Sequence, residues 1–220
     1  VYVREGRRFE GVYFFTANDA IPVIPGGRPP IHNTSITASH YPLDSHAVRK
    51  RETGRVHLDG FLSYPTAVYT VPFGVMVPQK VDNLLLPVPV SGSHIGFSTL
   101  RMEPCWMAIG QAAGISASIA IDDHVKIQNV CPDKLQEKLL DQKVTLIYFR
   151  DILYTDPNFR LVQYMGLRGY LPDWDAKLHA PIDNETLKVW QSLCKQPLLN
   201  VECGKTNRLD VLKQIYSLIR

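Results

Sequence analysis

The sequence lacks the patterns that mark several common classes of protein. Its four cysteines form no CxxC pair and no cysteine–histidine group with zinc-like spacing, so no metal site is indicated. The net charge of +3 comes without a long basic cluster, which gives no indication of nucleic-acid binding. No uninterrupted apolar run reaches the ~20 residues that cross a bilayer, and no signal peptide is evident. We therefore expect neither a nucleic-acid partner nor a membrane span.

The composition is that of a folded globular protein. Of the 220 residues, 45% are hydrophobic and 20% are charged, which suits a core in one sizeable domain or two small ones. The low number of cysteines favours free thiols, with a bridge between Cys194 and Cys203 as the alternative. Because the chain opens on Val1 directly in strand-like residues, we expect it to be a piece of a longer protein. Its compartment is not predicted.

Periodicity and turn residues predict the order of secondary structure. Strands are expected in a hairpin over residues 1–3 and 11–15, then at 35–41, twice within 61–77, and at 84–86. Helices are expected after residue 103, after Pro132, near Asp156 and after Asp183 as N-cap. The turn between the last two helices contains Gly166 and Gly169.

Residues 91–121 join a polar loop to a helix built largely of small side chains. Pro104 suits the start of that helix, where its missing N–H costs nothing and the free N–H groups create partial positive charge. Such an end attracts anions. Gly110 and Gly114 each cost roughly 1 kcal/mol against alanine inside a helix, so a close approach of another surface is expected there. Tight packing without a ligand is the alternative.

This segment resembles the C-terminal part of FAD-dependent oxidoreductases related to the glutathione-reductase-type flavoproteins. The resemblance is carried by VDNLLLPVPV, SGSHIGFSTLRMEP and WMAIGQAAG, and it extends upstream through residues 2–8, 39–49 and 71–85. It implies FAD as cofactor and hydride transfer between flavin and an organic, hydroxylated small-molecule substrate.

The resemblance also implies a fold and a division of the chain. The whole protein is expected to be α/β, and this fragment α+β, with part of a Rossmann-like FAD-binding domain. Residues 1–81 would form a β-rich substrate-side region, 82–130 the C-terminal half of the FAD-binding domain, and 131–220 a helical cap. Within the cap, residues 159–190 resemble a single S-layer-homology unit.

Several residues are implied to contact the flavin. The start of the small-residue helix, with Pro104, Cys105, Trp106 and Met107, is placed against the pyrimidine end of the ring, and Gly110 lets the helix approach the cofactor. Core packing is the alternative for Trp106 and Met107. In the preceding loop the SxSH pattern implies cofactor contacts for Ser91 and Ser93 and a catalytic role for His94.

Three further residues are candidates for catalysis. Asp44 and His46 lie two positions apart, so on an extended strand they would point the same way. A carboxylate beside an imidazole orients it as a base for a hydroxyl proton, with a solvated loop pair as the alternative. Arg101 is always charged and its fork suits a carboxylate or an anionic flavin, with a structural pair to Glu103 as the alternative. Weaker pocket candidates are His40, Tyr41 and Arg49.

The sequence departs from the family pattern in two places. Pro87 and Pro89 stand where many members have an Ala-Gly-Arg run, and proline donates no backbone hydrogen bond. No GxGxxG turn follows an early strand, although that turn seats the pyrophosphate in dinucleotide-binding folds. We therefore expect the missing N-terminal half of the protein as a partner and predict that this chain alone is inactive.

Two other classes of function compete with the enzyme. The chain could be a non-catalytic carbohydrate- or surface-binding module derived from a flavoprotein, which the Pro87 and Pro89 departure favours. It could also be a scaffold fragment that exposes the apolar face which a missing half should cover.

Overall fold

The computed structural model describes residues 8–46, 53–54 and 62–220. The described residues up to Ile147 form one compact unit, and Tyr148–Arg220 form a second. Together they contain six α-helices and four short strands, a mixed α/β architecture. The expected division into three parts remains a prediction, although the first helix of the expected cap packs within the first unit.

Two pairs of antiparallel strands organise the first unit. Strand β1 (Ser35–Ser39) pairs with β4 (Tyr69–Pro72), and β2 (Leu43–Ser45) pairs with β3 (Leu62–Tyr64). All of β4 is buried, whereas all of β3 is exposed. The strands predicted at 35–41 and within 61–77 are therefore confirmed, and the first pair brings residues 30 or more positions apart into register.

The predicted strand at 84–86 is not formed, and the predicted hairpin lies partly outside the described residues. Residues 1–3 lie outside the described part of the chain, and residues 11–15 make only single bridges, Gly11 with Pro78 and Phe15 with Gly92. Residues 84–86 have no strand structure; Leu86 donates one backbone bond to Met76, and Leu84 is 38% exposed. Apolar composition alone did not give residues 84–86 a neighbouring strand among the described residues.

Three helices pack on these strands. They are α1 (His94–Leu100), α2 (Glu103–Asp122) and α3 (Pro132–Asp141). Helix α2 packs against β1 and α3 and buries Cys105, Ile109, Ala112, Ala113, Ser116 and Ile119. It is long and apolar enough to meet the length and composition criteria for a membrane span. Core helices meet the same criteria, so no span is assigned.

The second unit is helical, as expected. It contains α4 (Phe159–Leu167), α5 (Asn184–Cys194) and α6 (Arg208–Ile219). The predicted N-cap is confirmed, because the Asp183 carboxylate accepts the Thr186 N–H at 2.7 Å. At the centre Trp190 is 1% exposed and donates its indole N–H to the Tyr170 carbonyl at 2.8 Å.

All four cysteines are free thiols. The alternative of a bridge between Cys194 and Cys203 is therefore wrong. Cys194 is buried at the end of α5, whereas Cys203 is partly exposed in the loop before α6.

Candidate functional site

The Asp44 carboxylate contacts both His46 and Arg101, two of the other residues predicted to be catalytic. Asp44 lies on β2, and its Oδ1 is 3.0 Å from Nε2 of His46, one residue beyond the strand. Its Oδ2 is 2.8 Å from a guanidinium nitrogen of Arg101, which follows α1. The extended backbone places Asp44 and His46 on one side, as the two-residue spacing predicts. The contact with Arg101 joins positions 57 residues apart.

The pairing of Arg101 settles one of the alternatives. Glu103 is exposed at the start of α2, whereas Arg101 is 1% exposed and also donates to the Asp44 backbone carbonyl at 3.1 Å. The expected alternative pair between Arg101 and Glu103 is therefore wrong. A buried guanidinium needs a charged partner, and the neighbouring strand supplies it from a distant part of the sequence.

Tyr41 lies between this cluster and a cavity. Its hydroxyl is 3.5 Å from Asp44 Oδ2, and the Arg101 guanidinium carbon is 6.0 Å from the centre of its ring. Tyr41 also lines a cavity of about 290 Å³ between the end of β1 and the start of α2. The full lining is Ala38, Ser39, His40, Tyr41, Met102, Pro104, Cys105 and Ala108. The weaker candidates His40 and Tyr41 thus share one pocket, while Arg49 lies outside the described residues.

The start of α2 divides its side chains between interior and surface. Cys105 is buried beside the cavity, and burial raises the pKa of its thiol to about 11, so it is protonated at neutral pH. Pro104 occupies the first turn, and Met107 is 76% exposed. The indole N–H of Trp106 is buried and has no hydrogen-bond partner among the described residues.

The other predicted site residues lie at the start of α1, a helix that stands where the sequence predicted a loop. Ser93 is the N-cap of α1 and accepts the Gly96 N–H at 2.9 Å. His94 begins α1 and Arg101 follows its last residue, so the two are separated by the length of a seven-residue helix, about 10 Å. The Ser91 hydroxyl is fully buried and no described residue is its hydrogen-bond partner. Such a group requires a partner from outside the described residues.

The glycines of α2 face open space. A Cβ added to Gly110 or Gly114 would meet no atom within 4 Å. Neither glycine is therefore tightly packed within the described part of the chain. Beside them lies an apolar groove of about 440 Å³. Its lining is Asn83, Leu85, Pro87, Ala113, Ala117, Ala120, Ile121 and Ile127.

A second charged cluster has no counterpart in the sequence-based prediction. Asp19 Oδ1 accepts the Tyr13 hydroxyl at 2.5 Å and lies 3.3 Å from Nε2 of His32, while Oδ2 accepts the Thr16 N–H at 2.6 Å. Burial acts to raise the pKa of Asp19, but these donors outweigh it and hold the pKa at about 2. Burial and the nearby carboxylate raise the pKa of Tyr13.

This cluster closes the base of the loop at residues 20–31, because Asp19 and His32 stand on either side of it. The sequence offered one signal, the spacing of Thr16 and Asp19, which forms a capping box around a short 3-10 turn. Metal binding has no support, since the described ranges contain no group of three or more His, Cys, Asp or Glu side chains suited to an ion.

Comparison with protein families found a match to a known family. The family described as FAD dependent oxidoreductase matches residues 1–139, which is more than half of the chain and includes β1 to β4, α1 and α2. Comparisons with curated proteins and with solved structures gave no match.

Proposed function

Because the chain belongs to the family of FAD dependent oxidoreductases, and is therefore an oxidoreductase that uses FAD, we propose that it serves hydride transfer between the flavin and an organic, hydroxylated small molecule. We further propose that it forms the C-terminal part of a glutathione-reductase-type flavoprotein. The observation that carries the catalytic proposal is the bridge that Asp44 makes between His46 and the buried Arg101.

In this proposal His46 is the base that takes the substrate's hydroxyl proton. A carboxylate only accepts hydrogen bonds, so the Nε2 atom that faces Asp44 carries the imidazole proton and the neutral ring keeps its lone pair on Nδ1. Arg101 holds Asp44 in place through a guanidinium that is always charged. Asp44 in turn stabilises the imidazolium that forms when His46 gains a proton.

The residues of this chain fit one part of FAD. When bound, FAD supplies the hydride acceptor and gains negative charge at its pyrimidine end. The positive end of α2, with Pro104 and Cys105, is suited to stabilise that charge. The unpartnered polar groups of Ser91 and Trp106 and the open face at Gly110 are consistent with a ligand beside them. Ser93 and His94 shape the same loop.

The open face of α2 also supports the proposed N-terminal partner. Gly110 and Gly114 present helix backbone without side chains, and Met107 and Ile121 on that side are 76% and 72% exposed. An apolar surface of this kind suits a sheet that packs on it. We place the dinucleotide-binding half there, with its GxGxxG turn. This chain alone then binds FAD weakly and is inactive.

The test joins the chain to its upstream sequence and measures visible flavin absorbance. Protein that binds FAD, and whose absorbance bleaches with an alcohol substrate in the absence of oxygen, supports the proposal. Asp44→Asn and His46→Gln should slow bleaching while FAD stays bound. Asp123→Asn is the matched control, because its partner Lys134 is on the surface at the other end of α2. Protein that remains colourless with added FAD rejects the proposal.

The second unit supports the rival interpretation as a binding module. It forms a helical unit of its own, and Tyr154 is 62% exposed on it. We propose that residues 159–190 act as the S-layer-homology-like part of this cap. Sedimentation of the chain with insoluble polysaccharide, compared between the native protein and Tyr154→Ala, tests that role. No retention of either protein rejects it.

A further inference from the structure

Asp44 lies on a strand that has little support from its own ladder. Strand β2 and its partner β3 are each three residues long, and every residue of β3 is exposed. An isolated pair of short strands is only marginally stable in water. The place of the Asp44 carboxylate between His46 and Arg101 therefore depends on contacts that reach β2 from other elements.

One carbonyl just before β2 is held by two side chains. The Tyr41 carbonyl accepts the Thr66 hydroxyl at 2.8 Å and also accepts the Thr99 hydroxyl. A carbonyl oxygen has two lone pairs, so both are used. The next residue is Pro42, whose nitrogen carries no hydrogen. The Tyr41 carbonyl is thus the only group through which hydrogen bonds can fix the peptide that leads into β2.

Thr99 joins this carbonyl to the end of α1. It is fully buried in the last turn of α1, two residues before Arg101, which is 1% exposed. Arg101 donates to the Asp44 backbone carbonyl at 3.1 Å and to the Asp44 carboxylate at 2.8 Å. The end of α1 is therefore attached to this segment at two points three residues apart, at Tyr41 and at Asp44.

The two attachments differ in stiffness. The Arg101 side chain has several rotatable bonds, so by itself it could follow the Asp44 carboxylate if the strand moved. The Thr99 hydroxyl is carried directly on Cβ of a β-branched side chain, which is restricted at χ1. Thr99 therefore sets the position of the strand entry relative to α1, and Arg101 then meets a carboxylate that is already in place.

We propose that Thr99 is a positioning residue for the Asp44 carboxylate. By donating to the Tyr41 carbonyl it fixes the entry to β2, and it thereby keeps Asp44 within reach of both Arg101 and His46. Thr99 is fully buried and is not part of the lining of the cavity beside α2, so it acts through Asp44 and not on a molecule in that cavity. Its effect on hydride transfer rests on the proposed function.

The first test uses the full 220-residue chain without FAD. Nitrogen-15 spectra measure how fast the guanidinium protons of Arg101 exchange with water, which reports how firmly Asp44 is held against them. Thr99→Val removes the hydroxyl and keeps the branched shape, so exchange should become roughly fivefold faster, the worth of about one neutral hydrogen bond. Thr99→Ser keeps the hydroxyl and should restore the native exchange rate.

Tyr69→Phe is the matched control. The Tyr69 hydroxyl is buried 2.8 Å from Thr99 Oγ1, so its removal also costs stability, but the Thr99 donor to the Tyr41 carbonyl remains. Arg101 exchange should therefore keep its native rate. Thr66→Val removes the other donor to the same carbonyl and should also speed the exchange, which keeps the test available if Thr99→Val does not fold. Unchanged exchange in both threonine-to-valine variants, or an equal rise in Tyr69→Phe, would overturn the proposal.

A second test uses the chain joined to its upstream sequence, with FAD bound. Thr99→Val should lower the bleaching rate at saturating alcohol by roughly fivefold and leave the half-saturating alcohol concentration unchanged, because the base is displaced while the substrate contacts remain. A raised half-saturating concentration with an unchanged rate would overturn the role of Thr99. Absence of bleaching in the native protein would instead reject the proposed function, and the exchange experiment would still decide whether Thr99 positions Asp44.

Discussion

Two glycine-to-alanine substitutions should change stability in opposite directions. At Gly96, in the first turn of α1, an added Cβ would lie 2.8 Å from Thr16 Cα and 2.9 Å from the Phe15 carbonyl carbon. These are backbone atoms, which cannot rotate away, so the upper end of the usual overpacking cost, about 3 kcal/mol, applies. Alanine recovers about 1 kcal/mol as a better helix former. The net loss for Gly96→Ala is about 2 kcal/mol.

At Gly114 the same substitution meets no atom within 4 Å. Only the higher helix propensity of alanine then contributes, so Gly114→Ala should stabilise the isolated chain by about 1 kcal/mol. At about 2–4 °C per kcal/mol for a unit of this size, Gly96→Ala should lower the melting temperature by about 4–8 °C. Gly114→Ala should raise it by about 2–4 °C.

Circular dichroism melts of the chain, followed by amide exchange in α1 and α2, measure both effects. Two variants that shift in the same direction would refute the assignment of Gly96 to a close backbone contact and of Gly114 to an open face. Joined to the dinucleotide-binding half, Gly114→Ala should instead weaken FAD retention, because its methyl group would occupy the proposed packing surface.

Three further predictions concern charge and thiol chemistry. Asp44→Ala should destabilise the first unit by about 3–5 kcal/mol, because the buried Arg101 would lose the Asp44 carboxylate that contacts it at 2.8 Å. Urea unfolding compared with Asp123→Ala checks this, and equal losses would contradict it. The pKa of Asp19 is about 2 in the folded protein and 3.8 in an unperturbed aspartate, so this group should contribute about 2 kcal/mol of stability that is present above pH 4 and lost as pH falls to 2. Asp19→Asn should reduce the dependence of the unfolding free energy on pH in this range. An unchanged pH dependence would count against the assignment. Cys131 should react with a thiol reagent in the native protein, while Cys105 stays protected until denaturant is added. Mass mapping of the labelled peptides shows which cysteine has reacted. Rapid labelling of Cys105 in the native protein would be inconsistent with its burial.

Local chemistry was sufficient for several parts of the fold. Alternation along a strand predicted that Asp44 and His46 would share a side, and their contact at 3.0 Å agrees. Asp183 was predictable as an N-cap because its side chain satisfies an N–H three residues away. Helix α2 followed from Pro104 and the small-residue run. Each of these inferences involves neighbours within one or two turns.

Other features depended on residues far apart in sequence. Residues 84–86 are as apolar as a strand, but strand formation needs a partner with free backbone groups, and none of the described strands lies beside them. No local pattern predicts the contacts among Tyr13, Asp19 and His32, and only folding of the loop between Asp19 and His32 assembles the cluster.

The sequence by itself determined where α2, α3 and α5 begin, which strand residues share a face, and membership in a flavin-dependent family, because these depend on short-range backbone preferences and on recurrent residue patterns. It did not predict α1, which lies where a loop was expected, or α6. Only the tertiary structure decided that Arg101 is bound to Asp44 rather than Glu103, that Ser39 and His40 line one cavity, and that Gly110 is open. These outcomes require desolvation and close packing of distant segments, and a linear pattern does not encode which distant charge will satisfy a buried guanidinium.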